Sequence, residues 1–327
     1  MLTFANLDAV TLAGPSYITV GNFDGLHRGH RALLRQLQAL ADAAVSSGQL
    51  VQRPQTGMVT FDPHPLAVLR PQAPHFLLTT PAERLALAAT EGLDFGVIQP
   101  FSHDLAALDA RAFMQLLKQH LQLVGLVVGP DFALGRGRQG NLDVLRTLGE
   151  ELGYTLHVIT PIDWQGLAVR SSQIRLALQE GNVALAANLL GRDYTVDGEV
   201  VTGDQRGRQI GIPTANLQVA NHKLLPANGV YVTRSTITVN GVAQTFPSVT
   251  NLGVRPTVDG EHRRLETHLL DFPPVGHSGD LYGQSLHLAF VAHVRPEQRF
   301  SSLAALVAQI QADIAHAREV LALPPPV

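Results

Sequence analysis

Apolar positions in the first half of the chain fall into short runs that alternate with stretches of helical period. Tyr17–Phe23 reads as a strand, and Leu33, Leu34, Leu37, Leu40 and Ala44 mark one apolar face of the helix that follows. Met58–Phe61, Phe95–Phe101, Leu126–Gly129 and Thr155–Ile162 predict further strands, separated by helical patterns over Ala110–Leu123 and Asn141–Leu152. Such alternation predicts an α/β domain with a mainly parallel sheet, whose ligands bind beyond the carboxyl ends of the strands.

Two short helices, Ser171–Gln179 and Val183–Leu190, precede a change of pattern. Segments Tyr194–Val201, Gly229–Val239, Gln244–Val249, Glu266–Leu270 and Leu286–Val294 are β-rich and punctuated by Gly, Pro and Asn, which predicts a small sheet or barrel. A last helix spans about Ser302 to Leu321, with Leu303, Leu306, Val307, Ile310, Ile314 and Ala317 on its apolar face. At 327 residues there is room for two domains of ~150 residues. The change of pattern puts them at 1–186 and 187–327.

Composition narrows the chemistry. Zero cysteines exclude disulfides, thiolate nucleophiles and thiolate metal sites. Of 24 basic residues only Lys118 and Lys223 are lysines, and neither follows the glycine pattern of a P-loop. Phosphate chemistry here must rest on Arg, His, helix N-termini, backbone N–H groups and a metal ion. A net charge of −3 without blocks of like charge predicts no nucleic-acid partner and no membrane surface. The start, MLTFANLDAV, has no basic-then-apolar leader, and no window approaches the ~20 apolar residues of a span, so the expected compartment is the cytoplasm. Nothing in the sequence specifies or excludes self-association.

The segment richest in chemistry follows the first strand: Gly21-Asn22-Phe23-Asp24-Gly25-Leu26-His27-Arg28-Gly29-His30. Gly25 and Gly29 let backbone approach a nucleotide, and His27 and His30 can aim ring N–H groups at phosphate near a positive helix end. Read alone, the glycines make a turn and the histidines cap a helix; a zinc site lacks an obvious third ligand. Gly135-Arg136-Gly137-Arg138-Gln139-Gly140 satisfies G-x-G-x-x-G, but it lies several residues past a late strand, which suits a Gly/Arg loop better than a dinucleotide site.

The string GNFDGLHRGH resembles the H-x-G-H signature of the nucleotidylyltransferase superfamily, and in its fuller form that of prokaryotic bifunctional riboflavin kinase/FAD synthetases. Thr60-Phe61-Asp62-Pro63-His64-Pro65 is similar to that family's T-F-x-P-H-P, and Val128-Gly129-Pro130-Asp131-Phe132 to its V-G-x-D-F. Val169-Arg170-Ser171-Ser172-Gln173-Ile174-Arg175 stands where the family carries [IV]-S-S-T-x-[IV]-R, with Arg170 replacing serine and Ser172 replacing threonine. Downstream, the run Gly203 to Leu217 resembles the riboflavin kinase signature G-x-x-x-G-R-x-x-G-[FY]-P-T-A-N, with Ile212 in place of the aromatic. Leu190-Gly191-Arg192, Asn228 to Tyr231, Asn251 to Thr257 and Glu266 to Phe272 extend the likeness across the second half.

The resemblance implies a Rossmann-like nucleotidylyltransferase domain followed by a kinase β-barrel with a terminal helix. It implies that Gly21, Asn22, Phe23, Asp24, Gly25, Gly29, Ser171, Ser172 and Arg175 bind one ATP, with His27 and His30 acting on its phosphates. Gly203, Gly207, Arg208, Gly211, Pro213, Thr214 and Asn216 would bind the other, Thr214 and Asn216 also holding Mg²⁺. Phe61, Pro63, His64, Asp131, Asn251 and Arg255 would face flavin. Glu266 is the expected general base, since an alcohol attacks phosphorus well only when its proton is accepted; read alone it is an exposed strand carboxylate. The expected substrates are riboflavin, FMN and ATP, with Mg²⁺ accompanying the ATP. Two narrower readings stand beside this one: a kinase whose adenylyl transfer is impaired by Arg170, and a non-catalytic flavin- or nucleotide-binding regulator.

Overall fold

The computed structural model describes residues 1–160, 162–203, 207, 210–239, 241–257, 260–272 and 281–322. The chain divides into two compact units, Met1–Ser171 and Ser172–Val327.

The first unit is built on strands β1 (Leu2–Phe4), β2 (Ser16–Val20), β3 (Gln55–Asp62), β4 (Phe95–Pro100), β5 (Leu123–Val128) and β6 (Thr155–Val158), in the order β1-β4-β3-β2-β5-β6. Every pairing in that sheet is parallel. Alternate residues of its central strands feed two apolar layers. Ile18, Val59, Phe61 and Val128 pack on one side with Phe113, Met114 and Leu117, while Tyr17, Met58 and Val127 pack on the other with Leu34, Leu37 and Ala41. Strands buried on both faces read as unbroken apolar runs, which is why the sequence shows them so plainly.

The helices are α1 (Arg28–Ser46), α2 (Pro65–Leu69), α3 (Pro81–Thr90), α4 (His103–Ala107), α5 (Ala110–Leu121) and α6 (Leu142–Leu152). Several starts are capped by side chains: Asp109 accepts from the Ala112 amide and Asn141 from that of Val144, and Thr80 and Glu83 form a reciprocal capping box. A hairpin of β7 (Asp163–Trp164) and β8 (Leu167–Ala168) leads to α7 (Ser171–Gln179). The structure shortens two expected strands. Beyond Val20 the chain leaves the sheet, with Phe23 and Leu26 at positive φ, and β6 ends at Val158, four residues before the sequence expectation. The Gly135–Gly140 segment is no strand-to-helix turn. It is a 3-10 turn over Arg136–Arg138, closed by a bridge between Leu134 and Gly140 and tied down by the Arg136 amide donating to the Leu108 carbonyl.

The second unit opens with α7 and α8 (Val183–Leu190) and is otherwise a closed antiparallel barrel. Its strands are β9 (Tyr194–Val201), β10 (Ala215–Val219), β11 (Gly229–Val239), β12 (Val242–Thr257), β13 (Gly260–Leu269) and β14 (Ser285–Arg295), ordered β10-β13-β12-β11-β14-β9 around the barrel. Inward-facing Val196, Leu286, Leu288 and Phe290 are buried, and so is a chain of hydroxyls. Thr233 bonds Ser248 and Thr250 at 2.8 and 2.7 Å, and Thr250 donates to Thr267 at 2.9 Å, so these interior polar groups satisfy one another. The last helix, α9 (Leu303–Ala322), packs Ala317, Ile314 and Val320 against Val230, Val232 and Val249.

Candidate active sites

The first cavity, about 500 Å³, opens beyond the carboxyl ends of β2 and β5. From β2 the chain adds strands first on one side, β3 and β4, and then on the other, β5 and β6, so this is the switch point of the sheet, where a ligand is expected. Of the residues singled out in the sequence, Gly21, Asn22, Phe23, His27, Gly29, His30, Asp131 and Ser171 line it together with Arg170, the residue that replaces the family's serine, and they are joined by Thr19, Ile159 and Asp163, which sequence reasoning did not select.

His27 is the N-cap of α1, its Nδ1 accepting from the His30 amide at 3.3 Å. A neutral ring that accepts at Nδ1 carries its proton on Nε2 and is a donor there. The His27 and His30 rings stack at 3.6 Å, and Phe23 meets His30 edge-on at 5.2 Å. Gly29 leaves room for this packing: a Cβ there would lie 3.2 Å from two atoms of the His27 ring, which would have to shift by a few tenths of an ångström.

Asp24 does not line the cavity. Its buried carboxylate accepts from the Leu78 and Thr79 amides at 3.1 and 2.9 Å, while Gly25 donates its N–H to Thr79 Oγ1. Behind the loop lies fully buried Arg84, which donates to the carbonyls of Asn22 and Phe61, to Thr60 Oγ1 and to the Thr79 carbonyl. Burial pulls its guanidinium below the ordinary value, against the opposing charges of Asp24, Asp62 and Glu83. The glycine-rich loop is thus fixed from behind by Asp24 and Arg84, and Ser171 Oγ bonds the Asp24 carbonyl at 2.8 Å. Ser172 and Arg175 follow on α7, in the second unit.

The expected flavin-facing residues of the first unit separate. Asp131 is at the cavity, 3.8 Å from the Arg170 guanidinium. Phe61 instead packs edge-on against Phe101 in the core, His64 caps α2 and lies against His75, and Pro63, after a cis peptide bond, is exposed; none of the three lines this cavity.

The second cavity, about 590 Å³, belongs to the barrel unit. Gly207, Thr214, Asn251 and Glu266 line it, with Ile212, His268, Arg295, Glu297, Phe300 and Asp313. Strand register explains the gathering. Asn216 on β10 pairs with Glu266 on β13, Glu266 with Asn251 on β12, Asn251 with Val230 on β11, and Val230 with Arg295 on β14. One row across five strands therefore carries an amide on each side of the carboxylate. The His268 ring donates from Nδ1 to the Pro213 carbonyl at 2.7 Å, tying the P-T-A-N segment to β13. Arg264, two residues along β13, sets its guanidinium 3.9 Å from Glu266 Oε1.

Gly203 lies so close to the Asn216 amide that a side chain there would strike it. Gly211 sits at positive φ in the turn before Pro213. Arg208 lies outside the described residues, and Arg255 occupies a strand position opposite His262. Among the described residues no group of three or more His, Cys, Asp or Glu is gathered to hold a metal, and no helix is long and apolar enough to cross a membrane.

The FAD synthetase family matches residues 11–173, and the riboflavin kinase family residues 190–321. The bifunctional riboflavin kinase/FMN adenylyltransferase of Escherichia coli K12 is 39 % identical over 311 residues, covering 94 % of this chain and 94 % of its own length. The chain belongs to this family.

The bifunctional enzyme of Pseudomonas fluorescens is likewise 39 % identical, over 93 % of this chain and 92 % of that one. A crystal structure described as a macrolide-efflux protein from Streptococcus pneumoniae is 28 % identical with a TM-score of 0.84, covering 97 % of this chain and 98 % of that one. The two family matches fall on the two units described above, the parallel sheet and the barrel, and leave 174–189 between them. Thr19, Arg84 and Arg295 escaped sequence reasoning because none stands in a glycine-rich or histidine-rich string; His268 lies in the quoted Glu266 to Phe272 segment, where it was given no role.

Proposed function

We propose that the barrel unit phosphorylates riboflavin to FMN with MgATP, and that the parallel-sheet unit joins AMP from a second ATP to FMN, giving FAD and pyrophosphate in the cytoplasm. The row Asn216–Glu266–Asn251, whose Glu266 and Asn251 line the cavity together with Thr214, is the observation that carries the kinase half.

In the kinase step the riboflavin hydroxyl attacks the γ-phosphorus, Glu266 takes its proton, and ADP leaves. The donors fit Mg²⁺, because the Thr214 hydroxyl and Asn216 amide oxygen are hard oxygen ligands and this ion is held largely through substrate phosphates. Bound there, it would neutralise phosphate charge. In the adenylyl step a phosphate oxygen of FMN attacks the α-phosphorus of ATP and pyrophosphate departs. That nucleophile is already an anion, so the site has to position and neutralise and needs no base. His27 and His30 supply ring N–H groups, with the N-terminus of α1 and, on α7, Ser171, Ser172 and Arg175. We take the functional domains as 1–186 and 187–327, a division that differs from the compact units by counting residues 172–186 with the first domain, and assign Phe61, Pro63, His64, Asp131, Asn251 and Arg255 to flavin.

Labelled ATP tests this reading. With γ-labelled ATP and riboflavin, label should enter FMN and persist in FAD; with α-labelled ATP it should enter FAD alone. Label from the α position in FMN, or none from γ, would contradict it.

A further inference from the structure

Helix α9 turns one stripe to the barrel, and that stripe changes character part-way along. Ile314, Ala317 and Val320 sit in the apolar cluster under the helix, whereas Leu303, Leu306 and Ile310, one to three turns earlier, line the kinase cavity. Leu303 is 62 % exposed, so the early half of the helix has open space where the later half has a core.

At the join stands Asp313, three residues after Ile310 and four before Ala317, hence on the same stripe. An aspartate in a helix interior is a poor helix former, and a carboxylate only 3 % exposed requires a partner. Arg295 supplies it. Its Nε lies 3.1 Å from both Asp313 oxygens and its Nη2 2.8 Å from Oδ2, while Gln309 donates to Oδ1 at 2.9 Å. The same guanidinium donates Nη1 to the Pro296 carbonyl and lies 5.7 Å from the centre of the Phe300 ring, another wall of the cavity.

A leucine at 313 would hold the helix by apolar contact alone, which is non-directional. The guanidinium–carboxylate fork sets both rotation and translation. Arg295 also stands in the cross-strand row of Glu266 and Asn251, so the fork references the apolar wall to the reacting groups.

We propose that Asp313, acting through Arg295, is a positioning residue for riboflavin, holding Leu303, Leu306, Ile310 and Phe300 as the apolar wall for the flavin ring. This rests on the kinase reading of the cavity. Asp313→Asn keeps the size of the side chain and removes its charge. The KM for riboflavin should rise about tenfold or more, with kcat and the KM for ATP within about twofold of wild type. Conversion of FMN to FAD should be unchanged. A purely structural role would lower the melting temperature and the folded fraction without separating riboflavin from ATP.

An unchanged riboflavin KM in folded Asp313→Asn protein would overturn the proposal, as would equal losses in kcat and in the KM for ATP. If Asp313→Asn does not fold, Arg295→Lys carries the same test with the charge kept and the fork lost, and the same riboflavin-only defect is expected. Wild-type protein that leaves riboflavin unphosphorylated would sink the cavity reading itself, before any variant is compared.

Discussion

Gly203→Ala is the smallest change that tests whether the Asn216 amide is placed for chemistry. The backbone at 203 accepts alanine, but the added methyl would lie 2.5 Å from Asn216 Cγ and 2.7 Å from Oδ1. Carbon contacts settle near 3.5–4.0 Å, so one of the two must yield by about 1 Å. The end of a short side chain moves more easily than two strands of a closed barrel, and β10 is held on both flanks, by β9 and β13. The amide therefore swings, at a rotamer cost of about 0.5–1.5 kcal/mol. A displacement of about 1 Å in a catalytic group lowers a rate by about a hundredfold. Steady-state formation of FMN from riboflavin should fall by that order, the melting temperature should move by a few degrees, and FAD formation from added FMN should be unchanged. Wild-type kinase activity in a folded Gly203→Ala protein would refute the placement of Asn216 in the reaction.

Glu266→Gln keeps the hydrogen-bonding shape of the residue and removes the base, so kcat for riboflavin phosphorylation should drop about 10²–10⁴-fold while FMN adenylylation persists. His27 separates capping from chemistry: His27→Ala should cost about 1 kcal/mol in chemical denaturation through loss of the α1 cap, His27→Asn should restore most of it, and neither should restore FAD formation. Burial pushes the Tyr154 and Tyr231 hydroxyls up to about 12, each donating to a backbone carbonyl at 2.6 Å. The folded protein keeps these protons where the unfolded chain, titrating near pH 10, releases them. Their contribution is thus complete below pH 10 and is lost from there towards 12, by up to about 1.4 kcal/mol per pH unit for each group. Denaturation between pH 9 and 12 should show this fall, less steep in Tyr154→Phe; a flat profile would contradict it.

The parallel sheet was legible because its strands are buried on both faces and read as apolar runs. The barrel was legible in kind but not in extent. β12 runs from Val242 to Thr257, well beyond the expected Gln244–Val249; Thr250, just past the expected end, looks solvated by composition and is in fact buried in a self-satisfied hydroxyl chain. Strand β10 was hidden inside the P-T-A-N motif, although it brings Asn216 opposite Glu266. At the sites, the histidine and glycine string announced itself through residue types that have few other uses together. Asp24 carries the same motif, yet its carboxylate supports the loop from behind. Arg84 and Asp313 could not be chosen from sequence, since each depends on partners distant in the chain, Thr60 and Phe61 for Arg84 and Arg295 for Asp313, and a lone charge in a helical pattern reads as solvated.

The central claim is that one chain carries two consecutive transfers to a flavin. The most direct measurement is a time course of purified protein with riboflavin, ATP and Mg²⁺, the flavins separated at each point, run beside a second course started from FMN. The account predicts that riboflavin falls, FMN rises and then declines, and FAD accumulates in both courses. FMN that accumulates without FAD, or riboflavin that stays unchanged while FMN is converted, would contradict it and name the site at fault.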